Sequence, residues 1–315
     1  MSAPLDILTI GRISVDLYAE QLGVPLNHVV SFRKSVGGTA TNVAIAAARL
    51  GHEAAVFTRV GNEPMGDFVR WALDSTFGVD TRFVGVDAEL RTPLAFATMA
   101  NPAEPDLFFY RVPSAPDLQI SPDEVNRAVV EEVPILWFAT GCLSAEPSRS
   151  TIHTVLGWRE RKTYTIVDLD WRPSMWTDAA TATAQIDKVL DHVTIAIGNR
   201  DECEVAVGIR DPERAAEALL ARGLETAIVK MGGDGVLVAT ADGVRDRIAP
   251  FPVEPVCGLG AGDAFGGAFC HGLLTGLTMS ESARAGNAAG AIVASRLMCA
   301  DDMPYLHEIE EIINA

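Results

Sequence analysis

The 315-residue chain contains no uncharged apolar run of about 18 residues, so no membrane span is expected. Its start, Met1-Ser2-Ala3-Pro4-Leu5-Asp6, lacks the basic opening and apolar stretch of a secretory leader, which makes a cytoplasmic protein the expectation. Cysteine is sparse: five residues, at 142, 203, 257, 270 and 299, with no Cys-x-x-Cys. Scattered and odd in number, they argue against a disulfide framework or a zinc site and suit a reducing compartment. The six histidines form no His-Glu-x-x-His, and no Gly-x-x-x-x-Gly-Lys-Ser/Thr occurs, which removes a zinc-protease motif and a Walker loop. Positive charge is also short, since 25 Lys and Arg against 42 Asp and Glu leave a net charge of −17. Such a surface repels nucleic acid and anionic membrane, so neither is expected as a partner. An anionic small substrate would need a local basic pocket, and that makes each arginine near a candidate site informative.

What is present reads as an α/β protein. The chain is 48% hydrophobic, enough for a substantial core, and long enough for one large domain or two ordinary ones. No internal repeat, low-complexity segment or long linker divides it. Apolar runs at 5–11, 54–60, 135–139, 164–169, 193–197, 227–231 and 236–239 predict strands. Helical patterns lie between or after them, at 43–50, 64–77, 213–222, 280–298 and 306–313. Alternation of this kind predicts a parallel sheet covered on both faces. Residues 94–99 and 107–110 break the rhythm and read as a hairpin joined by Asn101-Pro102-Ala103-Glu104-Pro105-Asp106. With the irregular segment 18–35 they predict a small separate sheet, placed as a lid over a cleft. Asp16, residues 37–42, Asp170, Asn199, residues 230–235 and residues 258–263 fall at or just after predicted strands. Ligands on such sheets bind at that edge.

The stretch around which the chain is organised is Val256-Cys257-Gly258-Leu259-Gly260-Ala261-Gly262-Asp263-Ala264-Phe265-Gly266-Gly267. It predicts a strand, a tight glycine loop and a helix N-terminus. Unpaired N–H groups and the helix dipole at such a terminus favour an anion. A carboxylate beside a bound phosphate is repelled unless it has a task, and accepting the proton of an attacking hydroxyl is one. Asp263 as a plain helix cap on a close-packed turn is the alternative. A dinucleotide fingerprint fits poorly, because it belongs at the first strand–helix turn with an acidic residue about 20 positions on.

Taken together, the motifs resemble those of the ribokinase-like, PfkB-type carbohydrate kinases. They are Gly37-Gly38-Thr39-Ala40-Thr41-Asn42, Gly61 with Gly66, Asn199-Arg200-Asp201-Glu202, Lys230-Met231-Gly232-Gly233-Asp234-Gly235 and Gly260-Ala261-Gly262-Asp263. The likeness runs in order along nearly the whole chain. One departure is Cys257-Gly258-Leu259, where many relatives carry Asp-Thr-Thr; it puts a side-chain hydroxyl contact to phosphate in doubt but spares the backbone loop. The resemblance implies one ribokinase-like three-layer sandwich with a central, mostly parallel sheet, and a small β-sheet lid from about 18–35 and 94–112.

It also implies roles. Asp263 is the expected base, and the backbone of Gly260, Ala261 and Gly262 the expected anion hole. Asn199 and Glu202 are expected to organise Mg²⁺ through water. Lys230, Gly232, Gly235 and Asn287 are expected along the ATP site, with a monovalent cation such as K⁺ as a further cofactor. Asp16, Gly37, Gly38 and Asn42 are expected to hold sugar hydroxyls. Arg111, with Arg172 and Arg12 behind it, is expected to clamp a carboxylate, for which a forked guanidinium is better suited than lysine. The bland readings stay open beside these: a surface helix start for Asn199–Glu202, a hairpin for 230–235, helix packing for Asn287. A narrower likeness within the family rests on residues 11–18, 91–94, 168–173 and 258–267. It implies a sugar-acid substrate, 5-dehydro-2-deoxy-D-gluconate of myo-inositol breakdown, phosphorylated at its terminal hydroxyl. Alternatives are 2-keto-3-deoxygluconate, a neutral sugar or nucleoside, and a non-catalytic sensor. A homo-oligomer is expected, with the lid as a dimer surface.

Overall fold

A computed structural model describes residues 4–99 and 105–315. Residues 1–3 and 100–104, the latter holding most of the expected hairpin connection, lie outside the described residues. In chain order the strands are β1 (Ile7–Ile10), β2 (Ser14–Ala19), β3 (Phe32–Gly37), β4 (Ala54–Gly61), β5 (Val84–Asp87), β6 (Leu94–Thr98), β7 (Asp106–Tyr110), β8 (Ile135–Ala139), β9 (Thr165–Asp168), β10 (Ile195–Asn199), β11 (Thr226–Lys230), β12 (Val236–Thr240) and β13 (Arg245–Ile248). Nine form one sheet, in the order β13-β12-β11-β10-β9-β8-β1-β4-β5, and four form a second, β3-β2-β6-β7. From β5 across to β11 every neighbour is parallel, and β12 and β13 close one edge antiparallel.

Alternation along the strands sorts side chains to two faces. In β8, Ile135 and Trp137 join the core on one side, while Leu136 and Phe138 join the core on the other. A strand buried on both faces reads as a continuous apolar run, and β8 is one (Ile-Leu-Trp-Phe-Ala). The first face is covered by the helices Thr39–Arg49, Ala261–Leu274, Met279–Ala294 and Leu306–Asn314, the second by Ser148–Arg159, Ala179–Leu190, Arg200–Val207 and Pro212–Ala221. Because β9, β10 and β11 lie side by side and parallel, their last residues Asp168, Asn199 and Lys230 share one rim.

Several boundaries differ from the sequence expectation. The run before the glycine loop is not a strand: residues 249–257 form irregular chain. Pro250, Pro252 and Pro255 lack the N–H groups a sheet ladder needs. The small sheet begins earlier and ends later than 18–35, at Ser14 and Gly37, so Asp16 lies inside a strand. Strand β13, Arg-Asp-Arg-Ile, is an exposed edge without apolar alternation and gave no hydrophobic signal. The expected helix at 280–298 ends at Ala294, where the Ser295 hydroxyl bonds the Ile292 carbonyl and tightens the last turn.

One buried cation fixes the second helical layer to the sheet. Arg159, at the C-terminal end of helix Ser148–Arg159, donates to the carbonyls of Val130, Val133, Pro134 and Thr163 and to Thr165 Oγ1. Burial alone pushes its guanidinium down to about 10, yet it stays charged at neutral pH. Arg159→Leu leaves these buried acceptors unmet, and an expected loss of about 3–5 kcal/mol follows from the desolvation of several such groups. Chemical denaturation of the purified variant checks this; a loss below about 1 kcal/mol would mean the acceptors find other donors.

Candidate active site

The helix Ala261–Leu274 begins at Gly260, which takes the left-handed conformation (φ 80°). Among the described residues no side chain caps this end, so the first-turn N–H groups stay available to an anion. Glycine is required at 260 for a second reason: a Cβ there would fall 2.0 Å from Cys299 Sγ. In the first turn stands Asp263. Its Oδ2 accepts from Asn42 Nδ2 at 2.7 Å and from Cys299 Sγ at 3.8 Å. Burial pushes its carboxyl up to about 6, with the Asp170 charge adding, while the Asn42 bond, Arg172 and Arg12 oppose the shift.

Across the cleft, β2 carries Asp16, buried, with Ser14 Oγ donating to it at 2.6 Å and Tyr18 Oη at 3.4 Å. Burial holds this carboxyl above its usual range despite both bonds and the charge of Arg12. The neighbouring strand must offer glycine here, because a Cβ on Gly37 would sit 2.1 Å from the Asp16 carboxylate. Gly38 then starts the helix Thr39–Arg49, whose first turn delivers Asn42.

The cationic part of the cleft is a shared ion pair. Arg12 Nη2 donates to Asp170 Oδ2 at 2.5 Å and to Thr39 Oγ1 at 2.6 Å, and Thr39 Oγ1 donates to the same oxygen at 2.9 Å. Arg172 Nη2 lies 3.2 Å from Asp170 Oδ1. Burial alone would raise Asp170, but the two guanidinium groups outweigh it and hold the carboxyl well below the usual carboxylate range. Both guanidinium groups bear on Asp170 and also act on the Asp263 carboxyl. Arg172, with its side chain 40% exposed, is the one that can turn to a ligand, since Arg12 is buried. One cleft brings together Arg12, Asp16, Gly38, Asn42, Arg172 and Asp263, with Gly260 and Leu259 at its wall.

The structure uses Arg111 differently from the sequence expectation. Its Nη2 and Nη1 donate to Asp117 Oδ1 and Oδ2 at 2.6 and 3.1 Å, and Asp117 Oδ2 also accepts from Ile13 N at 3.0 Å. The fork therefore anchors the chain entering β2, and Arg111 is not part of the cleft lining. Asn199 and Glu202 form a reciprocal cap on helix Arg200–Val207: Asn199 N donates to Glu202 Oε2 at 2.6 Å, and Glu202 N donates to Asn199 Oδ1 at 2.9 Å. Residues 230–235 join β11 to β12 as an antiparallel hairpin through the turn Gly232–Asp234 that precedes Gly235. Asn287 Nδ2 donates to Ala249 O at 2.8 Å, tying its helix to the segment before the glycine loop.

Beneath that loop lies Lys230. A Cβ on Gly262 would stand 3.1 Å from its Nζ, and Glu202 Oε2 is 4.0 Å away. Burial alone would lower the ammonium, but Asp168, Glu202, Asp263 and Asp170 outweigh it and keep it charged. Asp168 sits at the end of β9 and accepts from Asp170 N at 3.2 Å. Burial raises its carboxyl and Glu202, Asp170 and Asp263 add, against Lys230. Sequence reasoning gave Asp168, Thr39, Tyr18 and Cys299 no role. The Asp-Leu-Asp run at a strand end was the available signal for the first, Thr39 and Tyr18 lie inside motif stretches without a distinct signal of their own, and Cys299 carried none. Among the described residues no group of three or more His, Cys, Asp or Glu could hold a metal ion, and no helix is long and apolar enough to cross a membrane.

Residues 5–305 match the family model described as pfkB family carbohydrate kinase. The chain is 30% identical to the 5-dehydro-2-deoxygluconokinase of Geobacillus thermodenitrificans, over 98% of this chain and 93% of that protein. Its structure is similar to that of a PfkB protein from Polaromonas sp. JS666 (TM-score 0.83, 25% identity, 95% of this chain and 99% of that one). It is also similar to aminoimidazole riboside kinase from Salmonella enterica, solved with aminoimidazole riboside and an ATP analog (TM-score 0.80, 25% identity, 98% and 99%).

The hydrogen bond from Asn42 favours ionised Asp263, so Asn42→Ala is expected to raise the Asp263 titration above its value of about 6. Carboxyl carbon NMR across pH 4–9 measures it; an unchanged or lower midpoint contradicts the assigned role of Asn42.

Proposed function

The chain belongs to the PfkB family of carbohydrate kinases and has the ribokinase-like fold, and from that premise we propose that it transfers the γ-phosphoryl group of ATP to the terminal hydroxyl of a sugar acid, 5-dehydro-2-deoxy-D-gluconate first. The observation that carries the substrate class is the Arg12–Asp170–Arg172 group, which sets the part-exposed guanidinium of Arg172 in one cleft with Asp263. On a chain of net charge −17, that local cation complements a single carboxylate. 2-Keto-3-deoxygluconate meets the same charge criterion, and the name of the similar Geobacillus protein ranks it second.

In this reading Asp263 accepts the proton of the terminal hydroxyl as the oxygen attacks phosphorus. Its raised pKa, about 6, makes the carboxylate more basic than usual yet leaves it ionised at neutral pH. N–H groups of the first turn, Ala261 to Asp263, meet the charge on the transferring phosphoryl oxygens, with the Lys230 ammonium behind them. Asp16, Gly38 and Asn42 orient the sugar, and Arg172 takes the carboxylate. Leu259 at the cleft wall replaces the hydroxyl side chain of many relatives, so the phosphate relies on backbone donors.

Glu202 and Asn199 fit a Mg²⁺ that keeps most of its water and arrives on ATP phosphates, because their mutual cap engages one carboxylate oxygen and builds no protein cage. When bound, the ion neutralises phosphate charge. Gly232, Gly235 and Asn287 border the proposed nucleotide path, and K⁺ is proposed as an activating cation. The small sheet acts as the lid, and we propose a homo-oligomer formed through it.

Asp263→Asn keeps the shape and removes the base, so kcat is expected to fall at least about a hundredfold with nucleotide affinity little changed. Wild-type kcat/KM should drop as pH falls through about 6, where Asp263 takes up its proton. A variant with near-normal turnover, measured by coupled release of ADP, would remove Asp263 from the role.

The substrate is tested by the same coupled assay over sugar acids, ribose, fructose and nucleosides. Arg172→Ala is expected to raise KM for the acid by about tenfold or more, as loss of a charge-assisted bond implies, while KM for slowly used neutral sugars moves little. Arg111→Ala is expected to lower stability and to affect all substrates alike. A neutral sugar with the highest kcat/KM would overturn the sugar-acid assignment.

A further inference from the structure

Of the side chains around the base, Cys299 has no part in the mechanism above. It is buried, lines the cleft, and donates to Asp263 Oδ2 from Sγ. Its position is fixed from three sides. Gly260 leaves room for the sulfur, as the 2.0 Å approach of a Cβ there shows. Cys299 N donates to Tyr18 Oη at 3.2 Å, and that hydroxyl donates to Asp16. The thiol is thus held at once to the base, the glycine loop and the strand that carries Asp16. An independent feature points to a ligand at the same place. Asn42 Oδ1 is buried on a residue that lines the cleft, and it has no hydrogen-bond partner among the described residues. Such an acceptor is met by a hydroxyl donor from a ligand.

The chemistry of the substrate proposed above then distinguishes the two neighbours of Asp263. In a 5-dehydro-2-deoxygluconate the ketone carbon is bonded directly to the carbon bearing the terminal hydroxyl. Whatever seats that hydroxyl on Asp263 also seats the ketone beside the flanking side chains. A ketone oxygen only accepts hydrogen bonds. Asn42 Oδ1 also only accepts, and one of the two N–H groups of its amide is already given to Asp263. Cys299 offers an S–H, which reaches either partner by rotation about its Cβ–Sγ bond. We propose that Cys299 is a specificity-determining residue whose S–H hydrogen-bonds the ketone next to the attacking hydroxyl, so that the site selects a terminal α-hydroxyketone over the corresponding alcohol. Burial, and then the charges of Asp263 and Asp16, hold the thiol well above its usual range. It therefore stays a neutral donor and not a thiolate that would add to the carbonyl.

This inference rests on the sugar-acid reading, and the test separates the two. Wild type, Cys299→Ala, Cys299→Val and Cys299→Ser are assayed with ATP on 5-dehydro-2-deoxygluconate and on 2-deoxygluconate, which has the same carboxylate and an alcohol at carbon 5. Removing one hydrogen bond, Cys299→Ala or Cys299→Val is expected to lower kcat/KM for the keto acid about five- to tenfold and for the alcohol by no more than about twofold. Cys299→Ser retains a donor and is expected to preserve the wild-type preference within about threefold. The pH at which kcat/KM breaks should stay the same in every folded variant, because the base is set by burial and Asn42. An equal loss on both acids, or a shift of that break, shows that the sulfur acts only through Asp263 and overturns the inference with the sugar-acid reading intact. Failure of the wild type to use either acid sinks both. If Cys299→Ala does not fold, Cys299→Val carries the comparison, its side chain filling the sulfur's space without a donor.

Discussion

A carboxylate buried between two guanidinium groups sets the geometry of this protein's cleft. Asp170 stands just past the end of β9, Arg12 between β1 and β2, Arg172 in the loop that follows, and Thr39 at the start of a helix on the first face. One ion group therefore joins the large sheet, the small sheet and the helical layer. Arg12 also faces the ring of Phe109 in β7 at 5.9 Å, and its carbonyl accepts from Thr41 Oγ1 at 2.9 Å. Buried pairs contribute little net stability, but losing one partner strands a charge and costs about 3–5 kcal/mol. The consequence here is positional. The chain has few ways to satisfy Asp170, and the one it uses fixes Arg12, Thr39 and Arg172 relative to one another.

From that fixed point the electrostatics of the rim divide. Asp170, flanked by cations, is pulled down, and Asp263, buried with a single amide donor, is pushed up. Carboxylates whose environments drive their proton affinities apart take different tasks. The first is a permanent counter-ion and the second can exchange a proton near neutrality. Lys230 serves the other side, where Asp168, Glu202 and Asp263 would otherwise repel one another and repel phosphate. A strongly acidic protein thus holds two local cations at this rim, one under the glycine loop and one across the cleft.

Much of this was legible in the sequence, and the gaps have physical causes. Continuous apolar runs such as Ile135–Ala139 identify buried parallel strands because both faces must be apolar. Gly260 to Asp263 and Gly37 to Asn42 are readable because glycine and small residues are demanded by close backbone approach, which the structure shows at Gly37 and Gly260. Where the sequence was ambiguous, the cases share a form. An Asn-x-x-Glu spacing places the same two side chains together whether they cap a helix or attend a metal, and the structure uses it at least as a cap. Arg111 beside an apolar run looks like a placed cation, and it is one, but its partner Asp117 lies in a short turn with no pattern of its own. Cys299 and Tyr18 meet across 281 positions, a contact that no local period encodes. The strand expected before the glycine loop failed through three prolines, whose missing donors outweigh the strand preference of Phe251, Val253 and Val256 beside them.

The small sheet's part in the chemistry follows from what dries the base. Burial is the largest cause of the raised Asp263 carboxyl, and some of the cleft wall around it comes from Tyr18 in β2 and from Leu107 and Phe109 in β7. These strands pair through β6, between them, so the wall behaves as a unit of main-chain hydrogen bonds and not as separate side chains. The same β2 carries Asp16, and through Tyr18 it touches the backbone of Cys299, which in turn meets Asp263. A substrate that engages Asp16 therefore acts on the element that excludes water from Asp263 and on the segment that positions the sulfur beside it. With the roles proposed for Asp16 and Asp263, recognition of the sugar and the proton affinity of the base are linked by one strand, which suits a carboxylate placed in the middle of β2 and not in a loop at its end.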